Sequence, residues 1–204
     1  ALGTTEPHRR SPPGTLQCAD EVVPCSERNR EGPFSLRRSH YAVHTPIQAR
    51  GDLTGRYRQK PNTALQKIAK YAAMIHSVDD AVGRVLGALE EAGVADRTLV
   101  IFTSDNGGLL GPTHNAPLRS GKGFPYEGGI RVPLIVRWPG VVDAGTVSSE
   151  PVTSVDYFPT VLAAASMKPA THTIDGISLL PHLKSQGKAA LERDAIFWHF
   201  PHYR

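Results

Sequence analysis

Asp105 and Asn106 set a carboxylate beside an amide oxygen in the run Ser104-Asp105-Asn106-Gly107-Gly108. Both are hard oxygen donors, suited to calcium or magnesium rather than to a soft metal. Asp-Asn-Gly is also common turn chemistry. Two donors fall short of the roughly six to eight oxygens that calcium takes, so a cation here needs ligands from elsewhere. Lys122 stands between Gly121 and Gly123, a cation on a loop whose backbone can approach a ligand closely. As a point charge it can neutralise a sulfate or phosphate oxygen, although a solvated loop lysine would look the same in sequence. His44 lies in His40-Tyr41-Ala42-Val43-His44-Thr45-Pro46, where the proline biases Thr45 to an extended backbone. An imidazole held there can give a proton to a leaving oxygen or hydrogen-bond an anion; a structural histidine is the plainer reading. His76 and His114 are weaker candidates.

These residues need a scaffold, and the hydrophobic pattern supplies one. From Ala64 to Ala92, Leu65, Ile68, Ala72, Ile75, Val78, Val82, Val85 and Leu89 recur at three- and four-residue steps, which predicts a helix with those side chains on one face. Asn62 or Thr63 is the expected N-cap and Gly93 the expected stop. Gly83 and Gly87 cost helix propensity, which predicts close packing against another element. Thr98–Thr103 is a β-branched and aromatic run without alternation, as in a central parallel strand buried on both faces. It delivers Asp105 and Asn106 to a strand's carboxyl end, where ligand sites of α/β proteins gather. A glycine-rich loop from Gly111 to Gly129 carries His114, Arg119, Lys122, Tyr126 and Glu127. Val132 to Trp138 reads as a second strand. Asp156 to Ala165 reads as a further helix, with Pro159 in its first turn.

Composition sets broad limits. The 204 residues are 40% hydrophobic and 21% charged, ordinary for a globular chain. No apolar run reaches the roughly 18 residues of a membrane span. The net charge of +4 is uneven: residues 1–70 hold 12 Lys/Arg against 6 Asp/Glu. Residues 1–32 are polar, proline-rich and aperiodic, so they read as an irregular or disordered arm ahead of a domain at 33–204. No zinc-finger spacing or basic-aromatic interleaving points to nucleic acid. Cys18 and Cys25 lack a metal-ligand pattern and do not decide the compartment.

Taken singly, each candidate has a bland explanation; their order and wording change that. YAAMIHSVDDAVGRVLGALEEAGVADRTLVIFTSDNGG, followed by NAPLRSGKGFPYEGGIRVPLIVRWPG, resembles the sulfatase family closely. SHYAVHTPIQA upstream, and SVDYFPTVL, DGISLLPHL and FWHFPHY downstream, fit the same family in the same order over residues 33–204. The resemblance implies an α/β fold of the alkaline-phosphatase-like superfamily: a mixed, largely parallel sheet flanked by helices, present here in part. It implies a sulfuric ester hydrolase acting on aryl sulfates or sulfated glycans, in a periplasmic, extracellular or lysosomal setting. Asp105 and Asn106 match two ligands of a divalent metal, usually calcium, with magnesium as the alternative. Lys122 matches the lysine that contacts the sulfate and bridging oxygen, and His44 the histidine near the leaving oxygen.

The departures count equally. Sulfatases carry a Cys or Ser in C/S-x-P-x-R, converted to a formylglycine whose hydrate attacks sulfur. Cys25-Ser26-Glu27-Arg28-Asn29 and Cys18-Ala19-Asp20-Glu21-Val22 both miss that pattern. The paired aspartates that complete the metal site are absent as well; Asp79 and Asp80 lie in the helix phrase and do not match. Arg37 and Arg38 interrupt the segment before the His44 phrase, and each would cost roughly several kcal/mol if buried unpaired. The 204 residues alone are therefore expected to turn over negligible sulfate ester. A catalytically dead anion- or glycan-binding module and a related phosphate or phosphonate ester hydrolase are the alternatives.

Overall fold

The computed structural model describes residues 32–61, 68–168 and 173–201. The arm expected at 1–32 lies outside the described residues except for Gly32. Helix α1 (Gly51–Arg58) packs on the long helix α2 (Ala69–Glu91). A 3-10 turn (Ala95–Arg97) leads into strand β1 (Val100–Thr103). A one-turn helix α3 (Glu127–Ile130) precedes strand β2 (Leu134–Arg137). A second 3-10 turn (Ser154–Asp156) opens helix α4 (Tyr157–Ala164), and α5 (Leu180–Lys184) follows.

Helix α2 begins later than its periodicity predicts. Asn62, Thr63 and Leu65 lie outside the described residues, and Ile68 is extended, so the helix starts at Ala69. Its end is as expected. Gly93 takes φ +63, its N–H donates to the Glu90 carbonyl at 2.9 Å, and the Val94 N–H reaches back to Leu89 at 3.1 Å. That is a Schellman stop, which needs a residue free to be left-handed. Leu89 and Val94 then pack with Ala88 and Ala95, flanked by Leu36, Val85 and Val100.

The buried face of α2 is rotated from the predicted one. Ala72 and Leu89 of the predicted set are buried, but so are Tyr71, Ala73, Met74, Ser77 and Ala81, whereas Ile75 is 47% exposed. Small side chains at 73, 77 and 81 repeat every four residues on one face, and a small-residue face lets α1 come close. Counting only large apolar residues misses such a face. Across the pair of helices the Tyr57 hydroxyl and His76 Nδ1 share a hydrogen bond at 3.1 Å, and His76 Nε2 lies 3.6 Å from Asp80. His76 thus links α1 to α2 through Tyr57, with Asp80 beside its other ring nitrogen. The expected close packing at Gly83 and Gly87 is not found: a Cβ at either would meet nothing within 4 Å among the described residues.

The strands also differ from expectation. β1 pairs with β2 in an antiparallel two-stranded sheet, in the register Val100↔Arg137 to Thr103↔Leu134. No parallel neighbour of β1 is present among the described residues. Neither face is fully covered: Phe102 and its cross-strand partner Ile135 are 39% and 59% exposed. The run is apolar enough for a central strand, but burial needs a layer on each side, and one face has none among the described residues. Arg37 and Arg38 are exposed in a segment without strand structure, which spares both the cost of burial.

Candidate active site

Strand β1 ends at Thr103, whose hydroxyl donates to the Pro133 carbonyl at 3.0 Å and accepts from Tyr157 at 3.3 Å. These bonds pin the strand end from β2 and from α4. The chain then turns through Ser104, whose hydroxyl donates to the Asn106 carbonyl at 3.0 Å. Asn106 spends its Nδ2 on the Gly107 carbonyl at 3.0 Å, which leaves its Oδ1 as the uncommitted atom. Asp105 is exposed, and its carboxylate has no hydrogen-bond or ion-pair partner among the described residues.

The following glycines dock this turn against the Lys122 loop. Gly107 N–H donates to the Gly129 carbonyl at 2.9 Å, and Lys122 N–H donates to the Gly108 carbonyl at 3.0 Å. Side chains are excluded at the junction. A Cβ on Gly107 would sit 1.9 Å from the Gly128 carbonyl oxygen, and one on Gly121 would sit 2.5 Å from that of Gly108. Gly123 takes φ +88, so the two glycines around Lys122 serve different needs: one close approach, one left-handed turn. Ser120 also takes φ +64, an uncommon geometry for a residue with a Cβ.

Asn115 completes the junction, a role its sequence position did not reveal. Its Oδ1 accepts from Gly108 N–H at 3.0 Å, while its Nδ2 donates to the carbonyls of Gly108 and Ser120 at 2.9 and 3.1 Å. One amide therefore ties the metal-candidate turn to the lysine-candidate loop. A lone Asn before Ala-Pro carries no signal for this, because both partners are backbone groups of other segments.

His44 is held differently. Its ring Nδ1 lies 2.7 Å from the Thr45 carbonyl, which can only accept, so Nδ1 carries the proton and Nε2 is the free nitrogen. The Tyr41 hydroxyl donates to the same carbonyl at 2.5 Å, and the Tyr41 ring lies 5.7 Å from the imidazole. Every contact described for His44 is inside residues 41–45, and the side chain is exposed. Asp105, Asn106 and Lys122 are thus gathered on two joined loops, and His44 is not tied to them. Nearby, His40 has its pKa lowered by burial and secondarily by the charge of Arg38.

As a cation site the turn is partial. Asp105 and Asn106 Oδ1 fit two positions of a hard-ion shell, and no group of three or more His, Cys, Asp or Glu is poised for a metal among the described residues.

A second polar centre was not anticipated. Asp156 is fully buried. One oxygen accepts from Arg193 Nη1 at 2.9 Å and Ile177 N–H at 3.0 Å; the other accepts from Thr153 N–H at 2.8 Å. The Thr160 hydroxyl donates to the Asp156 carbonyl at 2.6 Å and accepts from Leu179 N–H at 2.8 Å. This centre fastens α4 to the segment leading into α5.

Comparison with known proteins decides the family. The sulfatase family model matches residues 14–167, well over half of the chain. The chain belongs to the sulfatase family. This sulfatase-family chain is 40% identical over 186 residues to a sulfatase of Formosa agariphila, covering 85% of this chain and 34% of that protein. It is 39% identical over 194 residues to the steryl-sulfatase of Mus musculus, covering 90% of this chain and 29% of that one. Among solved structures it is similar to Ps i-CgsB in complex with k-i-k-neocarrahexaose, at a TM-score of 0.75 and 35% identity, over 84% of this chain and 38% of that chain. Its fold is accordingly the alkaline-phosphatase-like fold of sulfatases, in part: the chain spans about a third of the length of the curated relatives it matches.

Proposed function

We propose that this chain carries one wall of the active site of a sulfuric ester hydrolase. The observation that supports this most is the backbone bond from Lys122 N–H to the Gly108 carbonyl, two residues after Asn106. In this reading the Lys122 ammonium neutralises a sulfate oxygen as charge builds on it, which is electrostatic stabilisation of the transition state. In its imidazolium form His44 would offer Nε2–H to the departing oxygen while Nδ1–H stays on the Thr45 carbonyl. Asp105 and Asn106 would hold a divalent cation, calcium before magnesium, which supplies further charge neutralisation when bound. A sulfated glycan or aryl sulfate is the substrate class, and the domain extends over residues 33–204.

The nucleophile is the missing part. No Cys or Ser of the chain begins C/S-x-P-x-R, so no formylglycine precursor is available within these residues. The purified 204-residue chain should leave 4-nitrophenyl sulfate unhydrolysed, yet inorganic sulfate should shift the amide resonances of residues 105–108 and 119–124. Lys122→Ala should remove those shifts. Turnover of the aryl sulfate that disappears in Lys122→Ala would overturn the inactive reading; sulfate shifts unaffected by that substitution would overturn the assignment of Lys122.

A further inference from the structure

Arg119 lies three residues before Lys122 on the same loop, and its guanidinium carbon sits 3.8 Å from the centroid of the Tyr126 ring. A guanidinium lying over an aromatic face keeps the N–H donors around its edge available to an oxyanion. Two features hold this pair in place. Arg119's own carbonyl accepts from Gly128 N–H at 2.9 Å, and a Cβ on Gly128 would lie 2.5 Å from that oxygen. Ser120, at φ +64, then turns the chain between the arginine and the lysine.

Charge pairing separates this arginine from its neighbour on the loop. Arg131 closes onto Glu127 at 3.5 Å, a pair one helical turn apart. Arg119 forms no ion pair among the described residues and keeps an exposed side chain. A planar fork with its face occupied and its edge open is suited to bidentate recognition of an oxyanion. Three residues of chain put its Cα at most about 11 Å from that of Lys122, a reach that a substrate bearing two anionic groups can bridge.

We infer that Arg119, stacked on Tyr126, is a specificity residue that grips a second oxyanion of the substrate while Lys122 holds the scissile sulfate. This rests on the reading of Lys122 above. The second group is a sulfate or a carboxylate, since both offer the paired oxygens that a guanidinium fork matches. The substrate class narrows accordingly to glycans with more than one anionic group, in preference to simple aryl sulfates.

The test is titration of the 204-residue chain, followed by NMR, with three probes: glucosamine 6-O-sulfate, glucosamine 2-N,6-O-disulfate, and a 6-O-sulfated glucosamine disaccharide carrying a uronic acid. The disulfate should bind about tenfold more tightly than the monosulfate, a single strong charge-assisted contact's worth. Arg119→Gln keeps the backbone bond to Gly128, so the loop stays docked; it should bring the two affinities to within about twofold. Arg119→Lys should recover only part of the difference, because an ammonium lacks the fork. The uronate probe decides between the two oxyanions: binding as tight as the disulfate assigns the carboxylate as an equal partner, and binding as weak as the monosulfate restricts the pocket to sulfate. A tenfold preference that survives Arg119→Gln would overturn the inference while leaving Lys122 untouched. Monosulfate binding that survives Lys122→Ala would overturn the underlying reading instead.

Discussion

Two aspartates at the ends of secondary-structure elements have opposite fates in this chain. Asp156 is fully buried, and its carboxylate accepts three hydrogen bonds, one from a guanidinium. Asp105 is exposed on a turn docked by five glycines and one asparagine, yet its carboxylate meets no donor among the described residues. A buried charge survives only when it is paired and bonded. An unpartnered one on a rigid turn is available to a ligand. The first aspartate organises the fold; the second is positioned by it.

Substitution sharpens the contrast most at Asp156. Asp156→Ala removes one partner of a buried pair, leaves Arg193 without its counter-charge and strands two backbone N–H groups. Such a loss should cost about 3–5 kcal/mol, read as a fall in the chemical-denaturation midpoint. Asp105→Asn should change stability by no more than about 0.5 kcal/mol and instead weaken calcium binding measured by calorimetry. Equal destabilisation by the two would break the distinction.

The junction that positions Asp105 comes next. Gly128→Ala sets a methyl 2.1 Å from the Ser120 carbonyl, and backbone must move to admit it. The expected cost is about 1–3 kcal/mol, accompanied by loss of the sulfate-induced shifts at residues 119–124. Gly83→Ala runs the other way. It fills open space on an exposed helix and should stabilise the chain by about 0.5–1 kcal/mol, seen as a higher thermal midpoint. Destabilisation there would mean that a neighbour occupies that face.

The smallest effect concerns His40. Unfolded, it protonates near 6.5; folded, burial and then Arg38 hold its pKa lower. Between those values the unfolded chain binds more protons, so stability should fall as the pH drops from 6.5 toward the folded value and level off below it. His40→Asn should flatten that slope in thermal denaturation between pH 7.5 and 5.

How much of this was legible follows from what each signal depends on. The long helix, the two apolar runs and Pro159 in the first turn of α4 were readable, since periodicity, β-branching and proline geometry are local. Helices α1 and α5 were not: eight and five residues with little apolar periodicity leave their helicity to packing. The buried face of α2 was legible only in part, because alanines and a serine make up much of it. The sulfatase phrases were legible as a resemblance, and with them the four candidate positions.

The sequence by itself determined which chemistry was on offer: hard oxygens at 105 and 106, an ammonium at 122, an imidazole at 44. Only the tertiary structure decided which of the segments carrying them are joined. Hydrogen bonds from Asn115, Gly107 and Lys122 join segments whose contacts cannot be read from spacing, and they bring Asp105, Asn106 and Lys122 onto one junction. Strand pairing was likewise decided there, since an apolar run fits a parallel or an antiparallel neighbour equally well and the register comes from the partner it finds.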